Sequence, residues 1–350
     1  MFEIGGFSFS TLILSYYFVF ALRRWTERGQ ILDIPNERSS HTRPVPRGGG
    51  IAIVLLTLIG LFIYAWLNPD WAIISTSSFI IGAFLISVVS WLDDLRSLNV
   101  RIRLLAQSVG AILAISGFGY WHTIDFPFLS KIHLGWIGLP VTFLWIVGLT
   151  NAYNFMDGID GIAGGQAVVA GLGWGILGWL NNQPTIGILG LLLAGSSLGF
   201  LGHNWPPARI FMGDVGSAFL GYTLAVLPVI ATQNDSHLAL PGALFVWPFL
   251  FDTVFTFFRR LRNRENIFEA HRSHLYQRLV AIGYSHRFVS ILFVGLALIG
   301  LFLSLLWVLG IDGSPFAVAL GVPFLCISLY TFVNFQERRR IALPHSPPST

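Results

Sequence analysis

Residues 73–94 read IISTSSFIIGAFLISVVSWLDD, an apolar run that ends on two adjacent aspartates. An α-helix rises 1.5 Å per residue, so residues 73–91 are enough to cross the roughly 30 Å hydrocarbon core of a bilayer. Asp93 and Asp94 would then lie at the end of that helix, and acidic residues so close to a membrane helix are costly to bury and therefore informative. The stretch predicts a membrane helix that brings an acidic pair to one membrane surface.

The composition of the whole chain agrees with a membrane protein. Of its 350 residues 54% are hydrophobic and only 11% are charged, with a mean hydropathy of +0.69. Soluble domains carry roughly 25% charged residues, because their surfaces face water. The single cysteine, Cys326, excludes an intramolecular disulfide framework. Residues 1–22 carry no basic residue before their apolar stretch, so we expect a retained helix there and not a cleavable signal peptide.

Apolar runs of similar length recur along the chain, and they predict an all-α membrane protein. We expect one domain, residues 1–350, built as a polytopic bundle of about eleven transmembrane helices. The predicted helices cover residues 5–22, 49–67, 73–91, 104–120, 134–151, 163–180, 185–202, 216–233, 240–258, 288–310 and 315–335.

The basic residues predict the orientation of this bundle. All twenty arginines follow odd-numbered predicted helices, and the one lysine, Lys131, falls on the other side. Cytoplasmic loops of membrane proteins carry an excess of Lys and Arg. The N-terminus is therefore predicted outside and the C-terminus in the cytoplasm.

Acidic residues collect on the predicted cytoplasmic face. Five carboxylates are expected there at one membrane depth, namely Asp93, Asp94, Asp157, Asp160 and Asp214. They would repel one another unless a cation is present, and hard oxygen ligands suit Mg²⁺ or Mn²⁺. Arginines and histidines nearby could hold phosphates, so the face as a whole favours phosphoryl transfer.

Each of these residues also has a structural explanation. Asp93 and Asp94 could form a solvated turn, and because adjacent helical residues point about 100° apart, they are expected to have different roles. Asp160 could cap the next helix. Asp252 lies two turns inside the ninth predicted helix, and its sole role could be to pair with an arginine. These explanations do not account for the collection of acids on one face.

Several motifs together resemble a known family. They are SHTRPVPRGGG at residues 40–50, Asp93-Asp94, NFMDGIDG at residues 154–161 and FMGDVGS at residues 211–217. In this order the chain resembles the polyprenyl-phosphate N-acetylhexosamine-1-phosphate transferases, which include the phospho-N-acetylmuramoyl-pentapeptide transferase.

The resemblance implies a reaction and roles for the residues. Undecaprenyl phosphate would attack the β-phosphorus of a UDP-N-acetylhexosamine at the cytoplasmic face of the bacterial inner membrane, and UMP would leave. Asp93, Asp94 and His274 are implied as catalytic, with Asp93 either a base or a positioner of the lipid phosphate. Asp214 and Asp94 are implied as metal ligands. The implied substrate-binding residues are Arg43, Arg47, Asn154, Asp157, Asp160, Asn204, Phe211 and Arg278. No nucleic-acid partner is expected, and the resemblance leaves a homodimer open.

One loop departs from the family pattern. Many relatives carry a His-x-His-His cluster where this chain reads His274-Leu-Tyr276-Gln277-Arg278. The departure resembles a subgroup that starts chains of the O-antigen type. A secondary transporter is the alternative class, but it would place ionisable groups near the membrane midplane in two similar halves, and no such repeat is found in this sequence.

Overall fold

The computed structural model describes residues 2–35, 43–68, 73–266 and 272–342. Within them the chain is almost entirely helical. The helices are α1 Phe2–Arg28, α2 Gly50–Leu67, α3 Ile73–Arg96, α4 Val100–Phe118, α5 Gly138–Met156, α6 Ile162–Leu180, α7 Pro184–Asn204, α8 Asp214–Thr232, α9 Ala239–Leu244, α10 Trp247–Arg262, α11 Leu275–Ala281, α12 His286–Val308 and α13 Ser314–Ala342.

The predicted all-α, multi-pass architecture is confirmed. In the described ranges nine helices are long and apolar enough to cross a membrane, and the bent pair α9–α10 would make a tenth. The 27-residue α1 overlaps the first predicted span. The count of eleven spans and the orientation of the termini stay predictions.

The most buried helix, α8, lies at the centre of the bundle, where it packs against α2, α3 and α5. Small residues bring α2 close to it, because a Cβ added to Gly50 would lie 2.4 Å from the Cα of Gly216. The amide of Gly50 also donates to the carbonyl of Met212 at 2.9 Å. The starts of α2 and α8 are therefore side by side, at the end of the bundle that carries the acidic residues.

The ninth predicted helix is not continuous. The segments on either side of residues 245–246 differ in direction by 71°. Pro248 has no N–H and cannot continue the hydrogen-bonding pattern of the preceding turn. The N–H of Phe249 donates to the carbonyl of Val246 at 3.0 Å, and the side chain of Gln166, on α6, donates to the carbonyl of Phe245. The break directs α10, which carries Asp252, away from the line of α9.

Two short antiparallel sheets complete the fold. β1 (Leu32–Asp33) pairs with β2 (Val45–Pro46), and β3 (Thr123–Phe126) pairs with β4 (Ser130–His133). The β3–β4 hairpin lies at the end of the bundle opposite the acidic residues, since Asp125 on β3 is 3.5 Å from His237, whose ring stacks on Trp307 near the end of α12. His286 at the other end of α12 is about 31 Å away at 1.5 Å per residue.

Candidate active site

Asp94 connects three segments of the chain. Its side chain is 1% exposed, and its two oxygens accept the backbone N–H groups of Asp214 and Val215 at 3.0 and 3.1 Å. These are the first amides of α8, which have no partner inside their own helix and favour a negative charge nearby. Arg47, just after β2, donates to the same carboxylate at 3.2 Å. Asp94 thereby fixes the start of α8, and with it Asp214, beside the end of α3.

Gly213 makes this close approach possible. Its φ of +77° lies in the left-handed region that favours glycine. A Cβ at this position would lie 2.6 Å from a carboxylate oxygen of Asp94. The glycine of the FMGD motif is thus required by the contact between α3 and α8.

Asp93 faces different partners, as expected from the 100° offset between adjacent helical residues. One of its oxygens accepts the N–H of Leu98, and the other accepts from Arg103 Nη1 at 3.0 Å. The same Nη1 is 3.6 Å from Oδ2 of Asp214. Arg103, in the second turn of α4, therefore bridges Asp93 and Asp214.

Asp157 is the carboxylate with the least protein support. It follows the last residue of α5, and no donor in the described residues forms a hydrogen bond with its side chain. Burial raises the pKa of this carboxyl, the charges of Asp94 and Asp160 add to the shift, and together they bring the pKa to about 7. A cation bound here would neutralise a carboxylate that receives no hydrogen bond from the described residues.

Asp160 links the start of α6 to two other segments. It does not cap α6, because the residue before that helix is Gly161 and no side chain caps it. Instead its oxygens contact the N–H of Ala208 at 3.0 Å and Nδ1 of His286 at 3.3 Å. Asp160 therefore joins the NFMDGIDG loop to the α7–α8 loop and to the start of α12.

Two asparagines of the predicted nucleotide site tie loops together. Asn154 donates to the hydroxyl of Ser217 on α8 at 3.1 Å. Asn204, 4% exposed, accepts the N–H of Gly161 and donates to the carbonyl of Ile210. Their contacts with a nucleotide stay predictions, and their observed contacts hold the loops that would form the pocket.

Phe211 lies in an extended segment beside the start of α2. Its N–H donates to the carbonyl of Pro46 at 2.8 Å, and its carbonyl accepts from Gly49 at 2.9 Å. Its ring is partly buried, whereas Arg43 on the approach to β2 is exposed. The predicted stacking of Phe211 on uracil and the predicted phosphate contact of Arg43 stay predictions.

A second buried carboxylate holds α11. Asp252 on α10 is fully buried, and it accepts the N–H groups of Leu275 and Tyr276 at 2.8 and 3.1 Å. His274 Nδ1 is 3.2 Å from the same carboxylate, and the hydroxyl of Thr256 is at 3.1 Å. The structure thus gives Asp252 the helix α11 as its partner and fixes the His274 ring through one nitrogen.

Tyr276, in the loop that departs from the family pattern, connects α11 to the acidic loop. Its hydroxyl donates to the carbonyl of Phe155 at 3.1 Å, and a Cβ on Gly158 would lie 2.1 Å from that hydroxyl. Burial raises the pKa of Tyr276, followed by the charges of Asp252 and Asp157. The loop that bears Asp157 therefore packs against the hydroxyl of Tyr276 and is hydrogen-bonded to it.

Arg278 contacts the last helix. Its guanidinium binds Glu337 through two nitrogens, with Nε at 2.8 Å, and donates to Asn334 at 2.6 Å. Its side chain is only 11% exposed. Its predicted role in holding the diphosphate stays a prediction, and in the structure it fastens α11 to α13. Ser40 and His41 of the first motif, together with His271, lie outside the described residues.

The structure brings Asp93, Asp94 and Asp214 together with Arg47 and Arg103. In the described part of the chain no three His, Cys, Asp or Glu side chains are grouped so that they could hold one metal ion. Mg²⁺ in phosphoryl-transfer sites is often bound by only one or two carboxylates plus substrate phosphates and water. Asp214, whose side chain is 35% exposed, fits that kind of site, whereas both oxygens of Asp94 are engaged with amides and Arg47.

Sequence reasoning missed three residues of this region. The sequence treats Arg103 only as a signal of orientation, because the fourth predicted helix begins at residue 104, whereas α4 begins at Val100 and brings Arg103 to Asp93, ten residues earlier in the chain. His286 and Glu337 gave no signal, since their partners are 126 and 59 residues away along the chain.

Comparison with known proteins supports the resemblance that the motifs indicated. Residues 76–232 match the model of glycosyl transferase family 4. A probable undecaprenyl-phosphate N-acetylglucosaminyl 1-phosphate transferase of Bacillus subtilis is 35% identical over 260 residues, 73% of this chain and 71% of the relative. An undecaprenyl-phosphate alpha-N-acetylglucosaminyl 1-phosphate transferase of Thermotoga maritima is 31% identical over 93% of this chain and 96% of the relative's length.

A second branch of relatives also matches. A phospho-N-acetylmuramoyl-pentapeptide-transferase of a Synechococcus strain is 31% identical over 69% of this chain and 72% of its own. The matches extend well beyond the individual motifs, and they include both kinds of enzyme that the motif order resembles. The chain belongs to glycosyl transferase family 4.

Proposed function

We propose that this protein transfers N-acetylhexosamine-1-phosphate from a UDP-sugar to undecaprenyl phosphate, releases UMP and leaves a lipid-linked sugar diphosphate in the membrane. The observation that carries the proposal is the group formed by Asp93, Asp214 and Arg103 at the junction of α3, α4 and α8. Such a group of carboxylates and a guanidinium at a membrane surface suits two phosphate-bearing substrates, one of them a lipid.

The reaction forms one bond and breaks one. An oxygen of the lipid phosphate attacks the β-phosphorus of the UDP-sugar, and the bond from that phosphorus to the bridging oxygen of UMP breaks. Phosphoryl transfer depends on positioning and on neutralising the charge of the phosphates. A phosphate monoester loses its second proton near pH 6, so the nucleophile needs little help from a base.

The residues of the chain then have distinct tasks. Asp93 already accepts from Leu98 and Arg103, so we assign it to orienting the Arg103 guanidinium toward the lipid phosphate. Arg47, held by Asp94, would face the diphosphate. Mg²⁺, or Mn²⁺ in its place, would supply the charge that neutralises the diphosphate, and Asp214 is the residue that we propose to hold it. His274, oriented by Asp252, is the donor that we assign to the leaving UMP.

The names of the relatives support UDP-N-acetylglucosamine as the first donor to test. The product would start a cell-surface polysaccharide, of the O-antigen type if the departure at Tyr276 and Gln277 marks that subgroup. We further propose that the site faces the cytoplasm of the bacterial inner membrane. A reporter fused at residue 126 should then be detected outside and one at residue 345 in the cytoplasm.

The decisive experiment measures UMP. Purified protein in vesicles with undecaprenyl phosphate, UDP-N-acetylglucosamine and Mg²⁺ should release UMP, and omission of either the lipid or the metal should stop the release. A panel of UDP-N-acetylhexosamines run alongside identifies the sugar. If no donor in the panel yields UMP while the protein remains folded, the proposed reaction is wrong.

A further inference from the structure

A basic pocket lies away from the candidate active site, at the end of α13. It has a volume of about 350 Å³, and it is lined by the turn Ile282–Gly283–Tyr284 between α11 and α12 and by Gln336, Arg339 and Arg340 of α13. Two guanidiniums, a phenol and an amide can all donate hydrogen bonds into it. No carboxylate lines it, so its ligand is expected to be an anion.

The arginines of this pocket lack acidic partners in the described part of the chain. No described carboxylate lies within ion-pair distance of Arg339 or Arg340. The neighbouring acid, Glu337, is bound by two nitrogens of Arg278. The positive charge of the pocket is therefore available to a ligand.

The backbone around the pocket is arranged to hold one of these arginines. Arg340 Nη1 donates to the carbonyl of Ala281 at 3.2 Å. Gly283 has a φ of +100°, and a Cβ there would lie 2.9 Å from the same Nη1. A side chain at residue 283 would push the guanidinium out of its position, so the glycine keeps the pocket open.

The pocket lies where a membrane lipid could reach it. Only 17% of the membrane-crossing window of α13 is buried inside the protein, so most of that helix faces lipid. Phe335, one turn before the arginines, is 61% exposed, and Phe288 at the start of α12 is 41% exposed. Tyr284, whose ring stacks on Phe288 at 4.7 Å, is of a residue type enriched at membrane–water boundaries. Apolar surface for acyl chains thus adjoins a basic pocket for a headgroup.

We propose that this pocket binds the phosphate group of an anionic phospholipid from the leaflet that carries the arginine-rich loops. Arginine binds phosphate through two parallel hydrogen bonds, and basic pockets between membrane helices are known sites for acidic headgroups. The proposal is independent of the transferase reaction, since no residue of the pocket belongs to the candidate active site.

The neighbouring arginine supplies a matched control for the test. Arg338 is exposed and does not line the pocket. Wild-type protein and the variants Arg339→Gln and Arg338→Gln are reconstituted in vesicles of phosphatidylglycerol and phosphatidylcholine, extracted in detergent and examined by native mass spectrometry. We expect wild type and Arg338→Gln to retain phosphatidylglycerol, and Arg339→Gln to retain it about tenfold less, the scale of one lost charge-assisted hydrogen bond.

Two further measurements separate the outcomes. Arg339→Lys keeps the charge without the planar fork and should give intermediate retention of phosphatidylglycerol. Such a graded loss would show that the Gln variant loses lipid through its missing charge and not through a folding defect. Inorganic phosphate at millimolar concentration should displace little of the lipid. Equal retention by Arg339→Gln and Arg338→Gln would overturn the site, and complete displacement by inorganic phosphate would assign it to a soluble phosphate.

Discussion

Asp94 and Asp252 are held in nearly the same way, and Asp157 is held in the opposite way. Each of the first two lies on one helix and accepts the first two backbone amides of another, α8 for Asp94 and α11 for Asp252. Asp157 lies between α5 and α6 with no hydrogen-bond donor to its side chain among the described residues. The first two carboxylates accept hydrogen bonds from backbone amides, which favour the ionised form, whereas no such donor supports the third.

This difference suggests a division of labour. An ionised carboxylate can only accept, and it has about four lone-pair positions. Asp94 and Asp252 use theirs to position other groups, Asp214 in one case and His274 in the other. Asp214 and Asp157 keep oxygens that a substrate or its cation could use. Substitutions at the two kinds of acid should therefore have different effects.

The largest effect is expected at Asp214. Asp214→Asn keeps the shape of the side chain but removes an anionic oxygen, so turnover should fall by about 100-fold or more, the scale of losing one charge partner in the transition state. The ion pair of this side chain with Arg103 is long, at 3.6 Å, and partly exposed, so the melting temperature should change little. UMP release at matched protein level measures turnover, and thermal unfolding measures the melting temperature.

Asp312 on the opposite face provides the control for this prediction. It is exposed in the turn before α13, and Asp312→Asn should leave turnover unchanged. Normal turnover by Asp214→Asn, without a higher requirement for Mg²⁺, would show that Asp214 does not hold the ion.

A smaller effect is expected when the support of His274 is changed. Asp252→Asn replaces one oxygen by an NH₂ group that meets an N–H of α11, and it removes the charge beside the imidazole. Loss of such an orienting partner typically costs 10–100-fold, and we expect that range here. Thr256→Val removes another donor to the same carboxylate and should cost much less.

A double variant tests whether Asp252 acts through His274. His274→Ala should lower turnover on its own, and adding Asp252→Asn should then lower it little further, because both changes remove one unit. Fully additive losses would show that Asp252 acts on turnover by another route.

Sequence reasoning predicted those parts of this arrangement that depend on local spacing. The apolar runs predicted most of the long helices, and the 100° offset predicted different roles for Asp93 and Asp94, which have different partners in the structure. Pairings between distant helices left no periodic signal, so the contacts of Asp252 with α11 and of Arg103 with Asp214 were not predicted. The break before α10 was also missed, because prolines such as Pro241 and Pro248 are tolerated in continuous membrane helices.

Asp157 should give the stability of the protein a dependence on pH. Its carboxyl has a native pKa of about 7 against an ordinary value of 3.8, so between pH 4 and pH 7 the native state holds a proton that the unfolded state has released. Stability contributed by this group is present below pH 4, decreases as the pH rises to 7 and is constant above. The melting temperature without divalent metal should fall by a few degrees between pH 5 and pH 7, and Asp157→Asn should reduce that fall.

Added Mg²⁺ extends the same measurement. A bound cation favours the ionised carboxyl, so it should raise the melting temperature of the wild type more at pH 8 than at pH 5. If Asp157→Asn shows the same dependence on pH and metal as the wild type, Asp157 is already compensated and the contrast with Asp94 does not hold.

The smallest effect is expected at Tyr276, which contacts both regions. Its amide is bound by Asp252, and its hydroxyl supports the carbonyl of Phe155 beside Asp157. Tyr276→Phe removes one neutral hydrogen bond, worth about 1 kcal/mol, and leaves the ring packed, so turnover should fall only about fivefold. Tyr17→Phe, which alters an exposed residue of α1, should have no effect. If the hydroxyl positions the Asp157 loop, Tyr276→Phe should also change the dependence of stability on pH in the same direction as Asp157→Asn. A loss of turnover with the pH dependence intact would mean that α11 acts on catalysis through His274 alone, and that the two regions are independent.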